Sequence, residues 1–145
     1  MSASAQPSTN VKQVVPFFHV ADMNRSVRFY LDGLGFTMKH KWVVNEKIRW
    51  CWLELGGAGL MLQEYQKDSP LARAAAGTLG TGVSLAFQCE DAVALYREFI
   101  SRGLGASEPQ VGNSMWVTGL SDPDGYRLKF ESLTDTPEET KLSEI

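Results

Sequence analysis

The chain has 145 residues, 43% of them hydrophobic, and a net charge of −3. That size suits one globular domain with a proper core, and an acidic balance without any basic run excludes a general nucleic-acid binder. No apolar run reaches membrane-spanning length and no charged-then-apolar leader is evident, so a cytoplasmic soluble protein with neither nucleic-acid nor membrane partners is expected.

Residues 1–10 are small and polar and read as a disordered tail. The next stretch, Val14 to Gly35 (VVPFFHVADMNRSVRFYLDGLG), has a second copy in Val83 to Gly105 (VSLAFQCEDAVALYREFISRGLG). Asp22 meets Asp91 at an offset of 69 (91 − 22), and Gly33-Leu34-Gly35 meets Gly103-Leu104-Gly105 past one extra residue. Each copy reads as a strand, a helix and a glycine stop. The strands, Val14 to Val20 and Val83 to Cys89, are apolar and rich in β-branched or aromatic residues. The two aspartates stand where a carboxylate can accept hydrogen bonds from unpaired first-turn N–H groups. Met23, Val27, Tyr30, Leu31 and Leu34 recur at helical spacing, and the glycines turn the backbone out of the helix. A unit repeated once in so short a chain implies two pseudo-symmetric halves of one domain.

After the first helix, Phe36 to Val44 reads as a strand ending at the turn Asn45-Glu46-Lys47. Ile48 to Leu55 alternates, with Ile48, Trp50, Trp52 and Glu54 on one face and Arg49, Cys51, Leu53 and Leu55 on the other. Either face satisfies the pattern as the inward one. A glycine turn over 56–59 leads into a strand at Leu60 to Tyr65. Between the halves, Asp68 to Ala74 starts a short helix with Ser69 as cap and Pro70 in its first turn. The second half repeats the order with strands at 83–89, 107–111, 115–120 and 126–132, a helix at 91–102, a Gly112-Asn113 turn and the tight turn Asp122-Pro123-Asp124-Gly125. Residues 134–145 form an acidic, polar tail outside the core. Cys51 and Cys89 lie in separate strands, form no CxxC pair, and read as free thiols in a reducing compartment.

The expected architecture is therefore α+β: two βαβββ halves, about 11–66 and 82–133, within a single domain at 11–133. With "VADMNRSVRFYLDGLGF" early and "DPDGYRLKFES" late, the chain resembles the vicinal oxygen chelate superfamily, which includes glyoxalase I, extradiol dioxygenases and bleomycin-resistance proteins. The resemblance covers about Val11 to Ser132. It implies that each half curls its strands into a cup with helices outside, and that the cups enclose a cavity.

Metalloenzymes of that superfamily place ligands on the first and last strand of each half. Carried over by position, these fall at Val15, Met61, Ser84 and Lys129, residues that cannot make the imidazole and carboxylate shell of Zn, Ni, Fe or Mn. The expectation is no metal and no cofactor. His19 shares a strand face with Val15 and Phe17 and reads either as a ligand-contacting imidazole or as a hydrogen-bonded wall residue. His40, between Lys39 and Lys41, reads as a surface residue. A two-histidine metal site would need Glu54 or Glu64 nearby, and no spacing motif supports it. Phe17, Trp50, Trp52 and Trp116 are the expected walls of an apolar pocket, with His19 and Lys129 as polar points. The alternative is that the rings fill ordinary core. No nucleophile elbow and no phosphate loop is present. The resulting expectation is a metal-free small-molecule binder, a homodimer, taking an aromatic or amphipathic compound. The alternative is a glyoxalase-, lyase- or dioxygenase-like enzyme with a non-standard site.

Overall fold

The computed structural model describes residues 10–65, 79–80 and 82–145. The expected N-terminal tail, apart from Asn10, and the linker helix at 68–74 lie outside the described residues. The first half runs β1 (Phe17–Val20), α1 (Met23–Arg28) continuing into a wider π-helical segment (Phe29–Leu34), β2 (Thr37–Val44), β3 (Lys47–Leu55) and β4 (Ala58–Glu64). The second half runs β5 (Ser84–Gln88), α2 (Ala92–Ser101), β6 (Gln110–Gly112), β7 (Met115–Ser121) and β8 (Arg127–Leu133). Each half makes one four-stranded sheet of matching order, β1-β4-β3-β2 and β5-β8-β7-β6. In both, the first strand lies parallel to the last and the other neighbours are antiparallel.

The repeat extends further than the helix caps. Asp22 accepts from Arg25 N at 3.1 Å and Asp91 from Ala94 N at 2.9 Å, so both aspartates cap as expected. A second acceptor comes from each last strand: Glu64 takes Met23 N, and Ser132 takes Ala92 N, both at 2.8 Å. The β2–β3 and β6–β7 hairpins turn on Asn45-Glu46 and Asn113-Ser114, with φ of 51°, 65°, 53° and 63°. Left-handed conformation at both central residues is the primed hairpin turn that matches strand twist. This moves the second turn one residue beyond the expected Gly112-Asn113.

Other boundaries shift for local reasons. β1 begins at Phe17, because Pro16 has no N–H and offers only its carbonyl, which accepts from Met61 N at 2.9 Å. β6 begins at Gln110, because Ser107 instead clasps β7, bonding Gly119 through backbone and side chain and taking the Thr118 hydroxyl. The helix stops differ too. Gly35 is left-handed (φ 93°), but its conformational counterpart is Gly103 (φ 78°), not Gly105. The tail is less detached than expected. It binds the free side of β6 through Val111 N to Thr140 O and Glu139 N to Val111 O, and Leu142 packs near Trp116. An open strand edge is thereby covered.

Alternation decides what each sheet face does. Phe18, Val20, Cys51, Leu53, Leu60 and Leu62 of the first sheet are buried, and they share one core with Phe99, Leu120, Leu128 and Phe130 of the second half. The helix-covered faces of the two sheets therefore meet. The opposite faces stay open.

A buried polar clamp fastens the halves beside this core. The β3–β4 hairpin needs only Gly56-Gly57, whereas β7 and β8 are joined through residues 122–126. That longer loop reaches across: Tyr30 donates its hydroxyl to Asp122 at 2.7 Å, and Asp124 pairs with Arg25 at 3.2 Å. Phe18 stacks on Tyr126 with centroids 3.9 Å apart, and the Tyr126 hydroxyl donates to His19 O at 3.0 Å.

Candidate functional site

Because Cys51 and Leu53 enter the core, Trp50, Trp52 and Glu54 project from the open face of the first sheet. Strand register then sets the side chains of this face in rows. One row runs Phe17, Met61, Trp52, His40 across β1, β4, β3 and β2; the next runs His19, Gln63, Trp50, Trp42. Phe17 and His19 stack at 4.9 Å with ring planes 5° apart, and His19 also lies against Tyr65 at 5.6 Å. Partial burial holds the His19 imidazole below its ordinary pKa. The Trp52 indole N–H donates to Glu54 at 2.9 Å. Its ring lies over Gly59, where a Cβ would sit 3.4 Å from the indole. Phe17 and Trp42 are 42% and 57% exposed. This is an apolar, aromatic surface with few polar groups, the composition that small-molecule sites favour.

Of the six expected site residues, the structure brings Phe17, His19, Trp50 and Trp52 together on this face. Trp116 does not join them. It is 8% exposed and packs with Ala92 and Val111 under α2, because it pairs with Ser132 on the face of the second sheet that turns Phe130 and Leu128 into the core. The expectation of Trp116 as a cavity wall is thus corrected to core. Lys129 lies on the open face of the second sheet, between Ala86 and Gly119. Trp42 was not singled out from sequence. Register shifts in β2 between Met38 and His40 and between Trp42 and Val43 set its facing, and no simple alternation reveals them.

The metal that such a fold implies in its enzymes does not fit here. The inherited positions offer Val15, Met61, Ser84 and Lys129, and among the described residues no three His, Cys, Asp or Glu side chains gather. Glu64 is committed to the α1 N-terminus and Glu54 to Trp52. His19 and His40 sit in different rows on opposite edge strands of one sheet, three strand spacings (roughly 14 Å) apart across the sheet alone. No chemistry is therefore routed through a metal.

A separate cavity of about 690 Å³ opens between the halves on the helix-covered side, lined by Leu34, Leu55, Leu85, Phe87, Leu95 and Phe130 among others. Cys89 reaches its wall, its thiol pKa raised by burial. None of the expected site residues lines it.

Residues 12–130 match the family described as the Glyoxalase/Bleomycin resistance protein/Dioxygenase superfamily. The chain belongs to that superfamily. Among solved structures it is similar to TnmS3, an antibiotic binding protein from Streptomyces sp. CB03234, with a TM-score of 0.63 and 20% identity over 85% of this chain and 98% of that one. It is also similar to a bleomycin-binding protein complexed with bleomycin (TM-score 0.63, 21% identity, 84% and 98% covered). A hypothetical protein from S. aureus gives a TM-score of 0.65 at 19% identity, covering 86% and 96%. No curated protein sequence matches the chain. At these identities the superfamily's fold is shared, in two unclosed four-stranded sheets.

Proposed function

We propose that this superfamily member is a metal-free small-molecule-binding protein that holds an aromatic or amphipathic compound against the open face of its first sheet. The observation that carries the reading is the aromatic surface itself: Phe17, Trp42, Trp50 and Trp52 on one face, with His19 stacked beside them. Flat rings left partly exposed offer stacking area that a core does not need, and TnmS3 and the bleomycin-binding protein, similar in fold, are named for binding an antibiotic and bleomycin. The site is best completed in a homodimer. A second copy would set its own second-sheet face over these rings, turning a half-open surface into a cavity whose far wall carries Lys129. The free thiols of Cys51 and Cys89 suit a reducing cytoplasm.

Titration with the neutral dye N-phenyl-1-naphthylamine tests this. Saturable dye enhancement and tryptophan quenching are expected, with affinity about tenfold lower in Trp50→Ala. Failure of that dye and of a panel of planar compounds to bind would overturn the reading. Native mass spectrometry of protein purified without chelator reports the dimer, any retained ligand and any metal together.

A further inference from the structure

The two open faces share a backbone plan but not a chemistry. On β4 the outward residues are Gly59, Met61 and Gln63, all uncharged. On β8, the equivalent strand, they are Arg127, Lys129 and Glu131. We propose that this face of the second sheet is an oxyanion site, which receives a carboxylate, sulfonate or phosphate group carried by the bound small molecule. The proposal rests on the small-molecule reading above and on the homodimer proposed with it, in which a second copy sets its cationic face over the aromatic one, and it names the class of compound.

Three independent features converge. Arg127 and Lys129 stand two residues apart on one face, and among the described residues neither lies within 4.0 Å of a carboxylate. The one acid in the same row, Glu131, is held by Gln88, whose amide donates to it at 2.7 Å. Gln88 thus restrains the neighbour best placed to neutralise Lys129. The strands on either side then leave space. Arg127 is flanked by Ser84 and Ser121, and Lys129 by Ala86 and Gly119, so the paired positions on the adjacent strands set no bulky side chain beside either cation. Finally, Arg127 forms one wall of a cavity of about 510 Å³ that is lined, among the described residues, by Leu79, Gly80, Gly82, Val83, Ser84 and Gly125 as well. Glycine backbone and a serine hydroxyl beside a guanidinium are what a compact oxyanion requires: a planar charged fork, a neutral donor, and room for close approach. In a protein of net charge −3, two adjacent cations without an ion pair among the described residues mark a local reversal of sign on this face.

The ligand class follows from joining this wall to the aromatic one. It is a planar or apolar body bearing an acidic group, the ring stacked on Trp50 and Trp52 and the anion directed to Arg127 and Lys129.

A matched pair of dyes tests it with the full-length protein. 1-Anilinonaphthalene-8-sulfonate and N-phenyl-1-naphthylamine share their rings and differ by the sulfonate. In R127Q/K129Q, whose substitutions lie on the exposed face and spare the core, the sulfonated dye is expected to lose about tenfold or more in affinity. The neutral dye is expected to change by less than about twofold. Gln88→Ala, which releases Glu131 towards Lys129, should also weaken the sulfonated dye selectively. Equal changes for both dyes, or none for the sulfonated one, would overturn the oxyanion site while leaving the aromatic reading intact. If neither dye and none of the planar panel binds the unmodified protein, the aromatic reading fails. Sodium sulfate then decides the site alone: saturable amide shifts at Gly82 and Ser84, lost in R127Q/K129Q, support it, and their absence overturns it.

Discussion

Tyr30→Phe isolates the clamp between the halves, because it removes one oxygen and keeps the ring. The ring contacts to Phe29 and Phe36, at 5.1 and 5.5 Å, need no hydroxyl and survive the change. What is lost is the donor to Asp122 Oδ2 at 2.7 Å, in a pair where Tyr30 is fully buried and Asp122 is 4% exposed. Asp122 Oδ1 is already engaged, accepting from Asp124 N and Tyr126 N at 2.9 Å each. The variant therefore strands one oxygen of a buried carboxylate. Hydrogen bonds to charged groups contribute about 1.5–3 kcal/mol, and an abandoned buried acceptor keeps its desolvation penalty, so a loss of about 2–3 kcal/mol is expected. For a domain of this size that lowers Tm by roughly 5–10 °C.

The pH dependence gives the sharper signature. Burial raises the Asp122 pKa, and the Tyr30 hydrogen bond opposes that rise by favouring the ionised form. A raised carboxyl pKa means that the folded state holds the proton more tightly than the unfolded chain. This group's own contribution is thus fully present below its unfolded pKa and is lost as pH rises through the folded value. The tyrosine hydroxyl limits that loss. The penalty of Tyr30→Phe should accordingly be full at neutral pH and shrink as pH falls through the raised Asp122 pKa. Urea unfolding followed by circular dichroism across that range measures it, with an unchanged m-value as the two-state check. A loss under about 0.5 kcal/mol at pH 7, or one independent of pH, would refute the clamp.

Three further outcomes are expected. Asp22→Ala and Asp91→Ala should each cost about 1 kcal/mol in urea unfolding, since the two caps have the same geometry; a cost at only one would break the energetic equivalence of the halves. Trp116→Ala should destabilise the fold by about 3 kcal/mol and leave N-phenyl-1-naphthylamine affinity unchanged, and the opposite pattern would return that ring to the binding surface. Elemental analysis after dialysis should find little Zn, Ni or Fe; about one retained equivalent per chain would show that a ligand set other than Val15, Met61, Ser84 and Lys129 exists.

The fold was legible in the sequence because its punctuation is written in residue types with narrow backbone roles. Asp22 and Asp91 cap, glycines end helices, and asparagines turn hairpins, and each role imposes a recognisable spacing. The caps from Glu64 and Ser132 were not legible, since their partners lie 41 and 40 residues away and one is a carboxylate, the other a hydroxyl. The Asp-Pro-Asp-Gly stretch illustrates the limit. As a turn it was plain, but its reach to Tyr30 and Arg25 depends on how the halves pack. The site divided along similar lines. Trp50 and Trp52 followed from alternation once Cys51 and Leu53 were seen to enter the core, whereas the assignment of Trp116 needed the pairing of β7 with β8.

The two halves also diverge in an ordered way. Positions that serve the backbone recur: the helix caps, the left-handed hairpin pairs, the parallel pairing of first and last strands. Positions on the open faces do not recur, because neither the core nor the hydrogen-bond ladder constrains a side chain that points away from both. Aromatics have gathered on one such face and cations on the other, with Trp52 and Trp50 paired to Met61 and Gln63 in the first sheet, and Gly119 and Ser121 paired to Lys129 and Arg127 in the second. A core would not sort residues in this manner, since stability gains nothing from half-exposed aromatic rings or from an arginine with no ion pair among the described residues. A ligand with one apolar end and one charged end would. The division of labour between faces therefore argues for binding more strongly than any single residue on either of them.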